Sequence, residues 1–334
     1  MILVTGGTGL IGCHLLYYLT QNEGNKVRAT YRSERSLEKT KKVFQHLSND
    51  GVKRFAQIEW IKADINNIPE LETAFRDVVF VFHAAGFISF SPNDFDKLIK
   101  INVEGTANIV NLCVDFQVKK LCYVSSVAVL SPTFEGFRNE TSLWNPEVKN
   151  SDYAISKHGG EMEVWRGSQE GLDVVVINPS VVLGAHFWDS GSGLFFKKVA
   201  DGLSFFPSGG TGFVAVEDVV RAMVALQFSS VVNERFVLNA ENQPYEKVLK
   251  TIAHELNVIP PKWRVTHKML RFFARIDGFL SFLRLKKRTI NLQSADSLGL
   301  ISGFDGNKIK QYIDFQYTSI DTSIKKACEA YRQK

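Results

Sequence analysis

The sequence predicts an α/β protein with a doubly wound parallel sheet and a smaller, mostly helical C-terminal lobe. Two observations support this fold class. Short β-branched runs alternate with longer helix-like segments through the first half of the chain, and a glycine-rich turn follows the first run. Such alternation indicates parallel strands with helices on both faces of the sheet. The predicted strands are Ile2–Thr5, Lys26–Thr30, Ile58–Lys62, Val78–His83, Leu121–Ser125 and Val174–Ile177.

The first predicted strand leads into a turn with glycine at positions 6, 9 and 12. Gly6 permits a sharp strand-to-helix turn, Gly9 removes bulk where a pyrophosphate approaches the backbone, and Gly12 lets the helix pack closely. The N-terminus of the next helix offers free N–H groups to phosphates. The turn therefore predicts a bound dinucleotide. Its contacts are expected from Thr5, Gly6, Thr8, Gly9, Leu10, Ile11 and Gly12.

A tyrosine and a lysine are paired on a later predicted helix. Ser151–Trp165 is predicted to be helical, and Tyr153 and Lys157 stand at i and i+4, on one face. A phenol of pKa ~10 is a poor acid or base at neutral pH, and a neighbouring cation lowers that pKa. Tyr153 can then exchange a proton with a substrate oxygen, and Lys157 can hold cofactor ribose hydroxyls. The alternative is a chance surface pair.

Ser126 supplies a third polar group at the carboxyl end of the fifth predicted strand. Ligands of open parallel sheets bind at those ends, where a hydroxyl can support charge that develops on a substrate oxygen. Ser125 is the competing residue, because strand alternation lets only one of the two serines point into the site. His83, before two alanines, is interpreted as a packed histidine, and no metal site is predicted.

Composition sets the broad class. The chain has 334 residues, 45% hydrophobic content and a net charge of +5, which is too mild to imply nucleic acid. Four cysteines without C-x-x-C spacing favour a reducing compartment. The first strand begins at residue 2, which leaves no room for a signal peptide, and no apolar run reaches the roughly 18 residues of a membrane span. These features predict a cytoplasmic protein.

The domain organisation follows from a change in pattern near residue 180. Residues 1–180 are assigned to nucleotide binding, with further sheet contributions from about 211–240, and Asn102–Val114 is predicted to be a helix. Loop signals at 191–193 and 207–210 and a mostly helical tail indicate a substrate lobe over 181–334, mainly 185–210 and 243–334.

Seven short motifs together resemble an extended short-chain dehydrogenase/reductase of the NAD-dependent epimerase/dehydratase superfamily. The resemblance covers essentially the whole chain, and its pattern is nearest to members that resemble dihydroflavonol reductases and 3β-hydroxysteroid dehydrogenases. It implies a Rossmann-type nucleotide fold and an enzyme. The motifs are Thr5-Gly6-x-x-Gly9-x-x-Gly12, His83-Ala84-Ala85-Gly86, Asn102-Val103-x-Gly105-Thr106-x-Asn108, Tyr123-x-Ser125-Ser126, Tyr153-x-x-x-Lys157, Asn178-Pro179-Ser180-Val181-Val182-Leu183-Gly184 and Phe213-Val214-x-Val216-x-Asp218-Val219.

The resemblance also implies roles for individual residues. Ser126, Tyr153 and Lys157 become the catalytic set, and Asn102 corresponds to a position near the active site with a structural or water-relay role. Tyr153 and Lys157 are counted with the cofactor-binding residues as well. Further cofactor contacts are implied for Asp64, Ile65, Ala84, Ala85, Gly86, Ser125, Pro179 and Ser180.

The end of the second predicted strand bears on the choice of cofactor. An NAD enzyme of this fold usually carries an acidic residue there, to bind the ribose 2′-hydroxyl. Arg32 stands at about that place, and a guanidinium suits a 2′-phosphate. NADP is therefore predicted, with NAD as the alternative. In that alternative Arg32 is a surface residue that stacks on adenine, and Glu34 is the acid.

These residues predict an NADP-dependent oxidoreductase, and the resemblance implies that it acts on a carbonyl or secondary alcohol of a fairly apolar small molecule. Tyr153 is its general acid or base. One alternative is a nucleotide-sugar epimerase or dehydratase with tightly bound NAD. Another is a non-catalytic, NADP-sensing regulatory protein. The rim of the pocket is predicted to be aromatic, from Phe87, Phe90, Phe187, Trp188, Phe195, Phe205 and Phe206. The alternative is that most of these side chains belong to the core, since the chain has 25 phenylalanines.

The segment 262–288 contains nine Lys or Arg residues and one acidic residue, Asp277, interleaved with apolar residues. Three interpretations stay open: weak contact with an anionic membrane surface, a cover over the substrate pocket, or a helix with its apolar face in the core. Nucleic-acid binding is not predicted, because the basic segment contains no sequence motif of a known nucleic-acid-binding domain. A homodimer is expected from the family resemblance alone.

Overall fold

A computed structural model describes residues 1–132, 136–282 and 292–333. Residues 283–288 of the basic segment lie outside the described residues. The strands are β1 (Ile2–Thr5), β2 (Val27–Tyr31), β3 (Glu59–Lys62), β4 (Phe80–His83), β5 (Lys120–Val124), β6 (Asp173–Pro179), β7 (Val181–Leu183), β8 (Phe205–Pro207), β9 (Gly210–Ala215), β10 (Glu234–Leu238), β11 (Glu241–Pro244) and β12 (Trp263–Val265).

Seven parallel strands form the central sheet, in the order β10-β6-β5-β4-β1-β2-β3. The strand order reverses at β1, so the sheet is doubly wound and the predicted fold class is confirmed. All six predicted strands are present. The seventh, β10, comes from the 211–240 range, whereas β9 from the same range pairs with β7 and β11 in a separate sheet.

Helices connect the strands on both faces. They are α1 (Leu10–Leu19), α2 (Glu34–Leu47), α3 (Gly51–Ala56), α4 (Ile68–Phe75), α5 (Phe95–Ile99), α6 (Gly105–Asp115), α7 (Asp152–Gln169), α8 (Gly193–Ala200), α9 (Val216–Gln227), α10 (Tyr245–Glu255), α11 (His267–Phe282), α12 (Leu292–Gly299) and α13 (Ile320–Arg332). The predicted helix at Asn102–Val114 begins as a π-helical stretch, Lys100–Glu104, and continues as α6. Ser151 caps α7 by accepting a hydrogen bond from the Ala154 N–H.

The core has a layer on each face of the central sheet. Alternate strand residues supply the two layers: Val4, Phe82 and Cys122 belong to one, and Leu3 and Val81 to the other. Both clusters consist of residues with little or no exposed surface. This two-sided burial explains why the strands read as nearly continuous apolar runs rather than alternating ones.

A third cluster forms the core of the C-terminal lobe, and α13 belongs to it. The chain is anchored just before α13, where the Thr318 N–H and hydroxyl donate to the Asp218 carboxylate at 2.7 and 2.9 Å. The Ile320 N–H donates to Glu241 at 2.9 Å. The last helix is thus tied to α9 and β11. Among the described residues, no helix has the length and apolar character that a membrane crossing requires.

Candidate active site

The predicted site residues lie along the carboxyl edge of the central sheet. In a parallel sheet all strand ends of one kind meet at one edge, so residues far apart in sequence become neighbours. The glycine turn follows β1, Arg32 follows β2, Asp64 follows β3, Ala84 follows β4, Ser125 and Ser126 follow β5, and Ser180 follows β6.

Two glycines of the first turn are required by the protein's own packing. Gly6 has φ +71°, and a Cβ there would come 2.5 Å from the backbone nitrogen of Ala85. A Cβ on Gly12 would overlap the Gly6 carbonyl oxygen. The Ala84 N–H donates to the Thr5 carbonyl at 3.1 Å. The turn and the end of β4 are therefore packed backbone against backbone.

Gly9 is different, because the protein leaves space beside it. It is exposed, and a Cβ there would meet only the Gly6 carbonyl oxygen, at an ordinary 3.5 Å. Gly9 is also the N-cap of α1 and makes no side-chain cap. N–H groups in the first turn of a helix have no partner within the helix. The open cradle and these donors fit the pyrophosphate of a dinucleotide, with half-buried Thr8, Leu10 and Ile11 beside it.

Arg32 is exposed immediately after β2. The acidic candidate nearby, Glu34, accepts a hydrogen bond from the Tyr31 hydroxyl at 3.0 Å. Within the part of the chain that the structure describes, Arg32 makes no ion pair. A cation therefore stands at the strand end where an acidic residue would select NAD.

Asp64 and Ile65 follow the edge strand β3. The Asp64 carboxylate accepts from the Asn66 backbone N–H at 2.9 Å, which makes a local turn, and Asn67 rather than Asp64 caps α4. Ile65 is buried, and its side chain fills the space that a Cβ on Gly105 would need. Asp64 thus shapes the loop beside the predicted adenine position.

Asn102 uses its side-chain amide to fix the loop after β4. Its Oδ1 accepts from the Phe87 N–H at 2.8 Å, and its Nδ2 donates to the Phe87 carbonyl and the Ser156 hydroxyl, both at 2.9 Å. Gly86 lies next to it, because a Cβ there would come 3.4 Å from Oδ1. Asn102 is 1% exposed, and these contacts give it a positioning role.

His83 is a packed residue. Its ring nitrogens hydrogen-bond to Thr5 Oγ1 at 2.6 Å and Thr106 Oγ1 at 3.1 Å, and its ring stacks on Tyr123. Burial, together with the nearby Lys157 charge, lowers the pKa of His83 to about 3. This imidazole is neutral at physiological pH and ties β4 to β1 and α6.

The two serines after β5 have different partners. The Ser125 hydroxyl is buried and donates to the Glu161 carboxylate at 2.6 Å. That carboxylate also accepts from Asn178 Nδ2 at 2.9 Å and forms an ion pair with Arg235 at 3.3 Å. Ser125 therefore points toward β6 and β10, into a buried polar network, and Ser126 is left for the site.

Ser126 and Tyr153 meet through their side chains. Ser126 Oγ accepts from the Ala128 N–H at 3.1 Å, and its hydroxyl lies close enough to the Tyr153 phenol to lower that phenol's pKa, against the larger effect of burial. The Tyr153 ring is half-buried and makes an edge contact with Phe90, with ring centroids 5.8 Å apart. The two hydroxyls that sequence reasoning selected thus form one polar centre beside an aromatic ring.

Lys157 lies beneath that centre. Its Nζ donates to the Tyr123 hydroxyl and to the Val124 carbonyl, both at 2.8 Å. Burial lowers the pKa of Lys157 to about 7, while the Glu161 charge opposes that change. The expectation that a neighbouring cation lowers the pKa of Tyr153 is not met, because burial raises that pKa instead.

Tyr123 and Glu161 are the residues that sequence reasoning missed. Glu161 stands four residues after Lys157, and Lys157 four after Tyr153, so all three share one face of α7. That spacing could be seen in the sequence. The contact of Tyr123 with Lys157 could not, because it depends on the distance between α7 and β5.

Pro179 and Ser180 mark the end of β6. Pro179 pairs with Leu238 of β10, and the Ser180 hydroxyl donates to the Leu238 carbonyl at 3.2 Å. Ser180 is 6% exposed. Its side chain fastens β6 to β10, at the same sheet edge as the other site residues.

The predicted aromatic rim is partly wrong. Phe187, Trp188 and Phe206 are buried core residues with 4–6% exposure. Phe187 joins the layer under α1, and Trp188 packs against the C-terminal helix α13. Only Phe90 has a ring contact with Tyr153 among the described residues. Phe187 and Trp188 follow β7, and the sequence alone did not show whether their rings would face the pocket or the core.

A cavity of about 780 Å³ opens on the other side of α7, away from Tyr153 and Ser126. Its lining includes Trp144 and His158, whose rings stack with centroids 4.3 Å apart, and the outward side chain of Met162. The two sides of α7 are therefore distinct: one carries the Tyr153 centre and the other faces this cavity.

Comparison with known proteins agrees with the motifs and the fold. The chain is 23% identical to sterol demethylase protein B of Methylococcus capsulatus over 99% of this chain and 98% of the relative. It is 27% identical to a putative dihydroflavonol 4-reductase of Synechocystis over 78% and 73% of the two chains. A structure of UDP-glucuronic acid 4-epimerase from Bacillus cereus with NAD matches with a TM-score of 0.76 and 18% identity. The match covers 99% of this chain and 98% of that one.

The family model for NAD dependent epimerases and dehydratases matches residues 2–238. That range contains the glycine turn and every residue of the Ser126–Tyr153–Lys157 set. The predicted resemblance is confirmed: the chain is an enzyme of the extended short-chain dehydrogenase/reductase type and belongs to the NAD dependent epimerase/dehydratase family.

Proposed function

We propose that the chain is an NADP-dependent oxidoreductase that reduces a carbonyl group on a fairly apolar small molecule, or oxidises the matching alcohol. The observation that carries the proposal is the placement of the Tyr153 phenol beside the Ser126 hydroxyl, which lowers the pKa of that phenol, at the carboxyl edge of the sheet. Two hydroxyls at that edge can hold one substrate oxygen beside the predicted nicotinamide position.

Tyr153 acts as the acid in the reductive direction. Burial raises its pKa above the ordinary value of 10, so the phenol carries its proton throughout the physiological range. A bound nicotinamide supplies or accepts hydride in this chemistry. As the substrate carbonyl gains charge, Tyr153 donates its proton to that oxygen, while the Ser126 hydroxyl supports the charge.

Lys157 stabilises the site after this proton transfer. The phenolate left on Tyr153 is an anion in a buried setting, and the ammonium lies on the same face of α7, one turn away. The family resemblance also assigns the ribose hydroxyls of the cofactor to Lys157. Because its pKa is lowered to about 7, its charge depends on pH near neutrality.

The preference for NADP is supported by Arg32. Its guanidinium is exposed at the end of β2, and Arg35 is exposed one turn further along. A planar guanidinium binds phosphate through paired charge-assisted hydrogen bonds, which a ribose hydroxyl does not offer.

An apolar substrate is supported by the loop after β4. Ile88 is 60% exposed and Phe90 is 53% exposed, next to the half-buried Tyr153 ring. Asn102 fixes the start of this loop at Phe87. The relatives named for a sterol and for a dihydroflavonol are consistent with such a substrate.

A paired turnover assay tests the proposal. Purified protein, stripped of nucleotide, is given NADPH or NADH with a panel of steroid and flavonoid ketones, and absorbance of the reduced nicotinamide is followed. We expect consumption of NADPH with at least one ketone. Interconversion of UDP-sugars with retained NAD and no net consumption would instead support the epimerase alternative. No turnover in either assay despite NADPH binding would support the sensing protein.

A further inference from the structure

Helix α11 presents its large apolar side chains to solvent. Met269, Phe272, Phe273 and Ile276 are 43%, 59%, 48% and 40% exposed. They stand at i, i+3, i+4 and i+7, which is the spacing of one helical face. A helix on a globular protein normally turns such a face toward the core, so this exposed stripe requires an explanation.

The opposite face of α11 already has its packing partner. Leu270 and Ala274 are 6% and 0% exposed and form a small cluster with Val265 and with Ala295 of α12. The helix is therefore docked on the lobe through these residues, and its outward stripe is a second apolar face.

The segment that carries the outward stripe also has exposed basic residues. Lys262, Arg264, Lys268 and Arg275 are exposed. Between residues 262 and 277 the one acidic residue is Asp277, which is 5% exposed and so contributes little to the surface. The surface around the stripe thus carries positive charge with no exposed carboxylate from the same segment.

Two further features of this segment bear on the proposal. Trp263, in β12, is 73% exposed and stands two residues before Val265, which packs against α11. Arg271 lies 3.4 Å from the Asp296 carboxylate of α12, and His267 Nε2 lies 2.7 Å from the same carboxylate. These polar contacts hold the first two turns of α11 against α12. Tryptophan and arginine or lysine together are the side chains that favour a water–bilayer interface.

We propose that the outward face of α11, with Trp263, docks on the surface of an anionic lipid bilayer. Phe272 and Phe273 would enter the headgroup–acyl boundary, and the surrounding basic residues would contact lipid phosphates. The charge of the segment selects this occupant, because a second copy of the chain would bring the same positive surface against itself. The inference is independent of the reaction that the active site performs.

Vesicle co-sedimentation of the full chain tests the proposal, without cofactor or substrate. Vesicles of phosphatidylcholine alone are compared with vesicles of equal parts phosphatidylcholine and phosphatidylglycerol. We expect binding to the anionic vesicles only, weakened by added salt. In the double variant Phe272→Ser, Phe273→Ser we expect vesicle binding to fall on the order of tenfold or more, because two rings that enter the bilayer boundary are lost.

Phe228→Ser is the matched control, since Phe228 is 47% exposed on another part of the surface. It should bind vesicles as the unchanged chain does, and thermal unfolding should show that all variants stay folded. Equal binding to both kinds of vesicle, or full binding by the double variant, would overturn the proposal. So would a dimer that the double variant breaks without any vesicle binding, since the stripe would then join two copies of the chain.

Discussion

Lys157 Nζ donates hydrogen bonds to the Tyr123 hydroxyl and the Val124 carbonyl, each at 2.8 Å. Both acceptors belong to β5, so the ammonium is positioned by the central sheet as well as by its own helix. Gly160 permits this approach, because a Cβ there would come 2.7 Å from the Tyr123 hydroxyl. The charge of Lys157 is thereby held below the Tyr153–Ser126 pair in a defined place.

Glu161→Gln should change the pH dependence of turnover. The Glu161 carboxylate raises the pKa of Lys157 against the larger effect of burial, which leaves it at about 7. The other groups near Lys157 are the phenols of Tyr123 and Tyr153 and neutral His83, none of which supplies a negative charge at neutral pH. Without the carboxylate the pKa of Lys157 falls further, and the alkaline decline of kcat/KM for ketone reduction should begin at lower pH.

The control for this variant is Glu163→Gln on the same helix. Glu163 forms a surface ion pair with Arg166, with the charged atoms 2.9 Å apart. Its replacement by glutamine should therefore leave the pH profile of turnover unchanged. If Glu161 served only to hold Ser125 and Asn178, Glu161→Gln would lower stability and leave the profile where it was. That outcome would contradict the electrostatic role.

Tyr153→Phe should slow turnover strongly and keep nucleotide binding. The phenyl ring retains the edge contact with Phe90, and only the proton donor is removed. General acid catalysis contributes about 10²- to 10⁴-fold, so kcat should fall by that order while the Kd for NADPH changes little. Stopped-flow turnover and fluorescence titration measure the two quantities. Tyr312→Phe, at an exposed tyrosine remote from the site, is the control. An unchanged kcat in Tyr153→Phe would refute the mechanism.

Arg32→Asp should weaken NADPH binding far more than NADH binding. The loss of a charge-assisted pair with the 2′-phosphate corresponds to about 10- to 100-fold in Kd. Parallel titrations of the two nucleotides measure the ratio. Arg35→Asp, at the second residue of α2, makes the same charge change three residues away and should have a smaller effect. Equal losses for both nucleotides in Arg32→Asp would remove the argument for NADP.

Gly9→Ala and Gly12→Ala should separate ligand binding from folding. A methyl group at position 9 meets only an ordinary 3.5 Å contact within the protein, so Tm should hold while NADPH affinity falls on the order of tenfold. A methyl group at position 12 overlaps the Gly6 carbonyl, and overpacking should cost about 1–3 kcal/mol of stability. Calorimetry and titration check the pair. Unchanged affinity in Gly9→Ala would place the phosphates elsewhere.

His186→Asn should reduce the loss of stability in acid. Burial, His14 and His46 lower the pKa of His186 from 6.5 to about 4. Its neutral form is therefore favoured on folding, and its contribution, complete above about pH 6.5, is lost as pH falls toward about 4. Asparagine removes the titration and tolerates the φ of +69°.

Thermal unfolding across that pH range measures the effect of His186→Asn. His254→Asn is its control, because the His254 side chain is 87% exposed. An identical fall in Tm for His186→Asn and the unchanged chain would show that the cluster of His14, His46 and His186 does not set the acid response.

The central sheet could be predicted because its inner strands are buried on both faces and so appear as apolar runs between turn signals. The strands of the smaller sheets could not. β7, β8 and β12 have three residues each, which is too short for a periodic pattern. β12 also lies inside the basic segment that suggested a helix. It could not be predicted as a strand, because its partner β8 comes from a region much earlier in the chain.

The candidate site could be predicted as a set of residues and not as a set of contacts. The spacing of Tyr153 and Lys157 gives a shared helix face, and the end of β5 gives Ser126. The sequence does not show that Lys157 turns to Tyr123 or that Ser125 turns to Glu161, since both depend on the packing of α7 against the sheet. For the same reason burial reversed the expected change in the pKa of Tyr153.

The position of β10 in the sheet affects how the chain is made. It pairs with β6 at one edge, although β7, β8, β9, α8 and α9 come between them in sequence. During synthesis the outer edge of β6 therefore waits, with unpaired backbone groups, until residue 238 has left the ribosome. A nascent chain that pauses before that point exposes a β-strand edge that can pair with another chain.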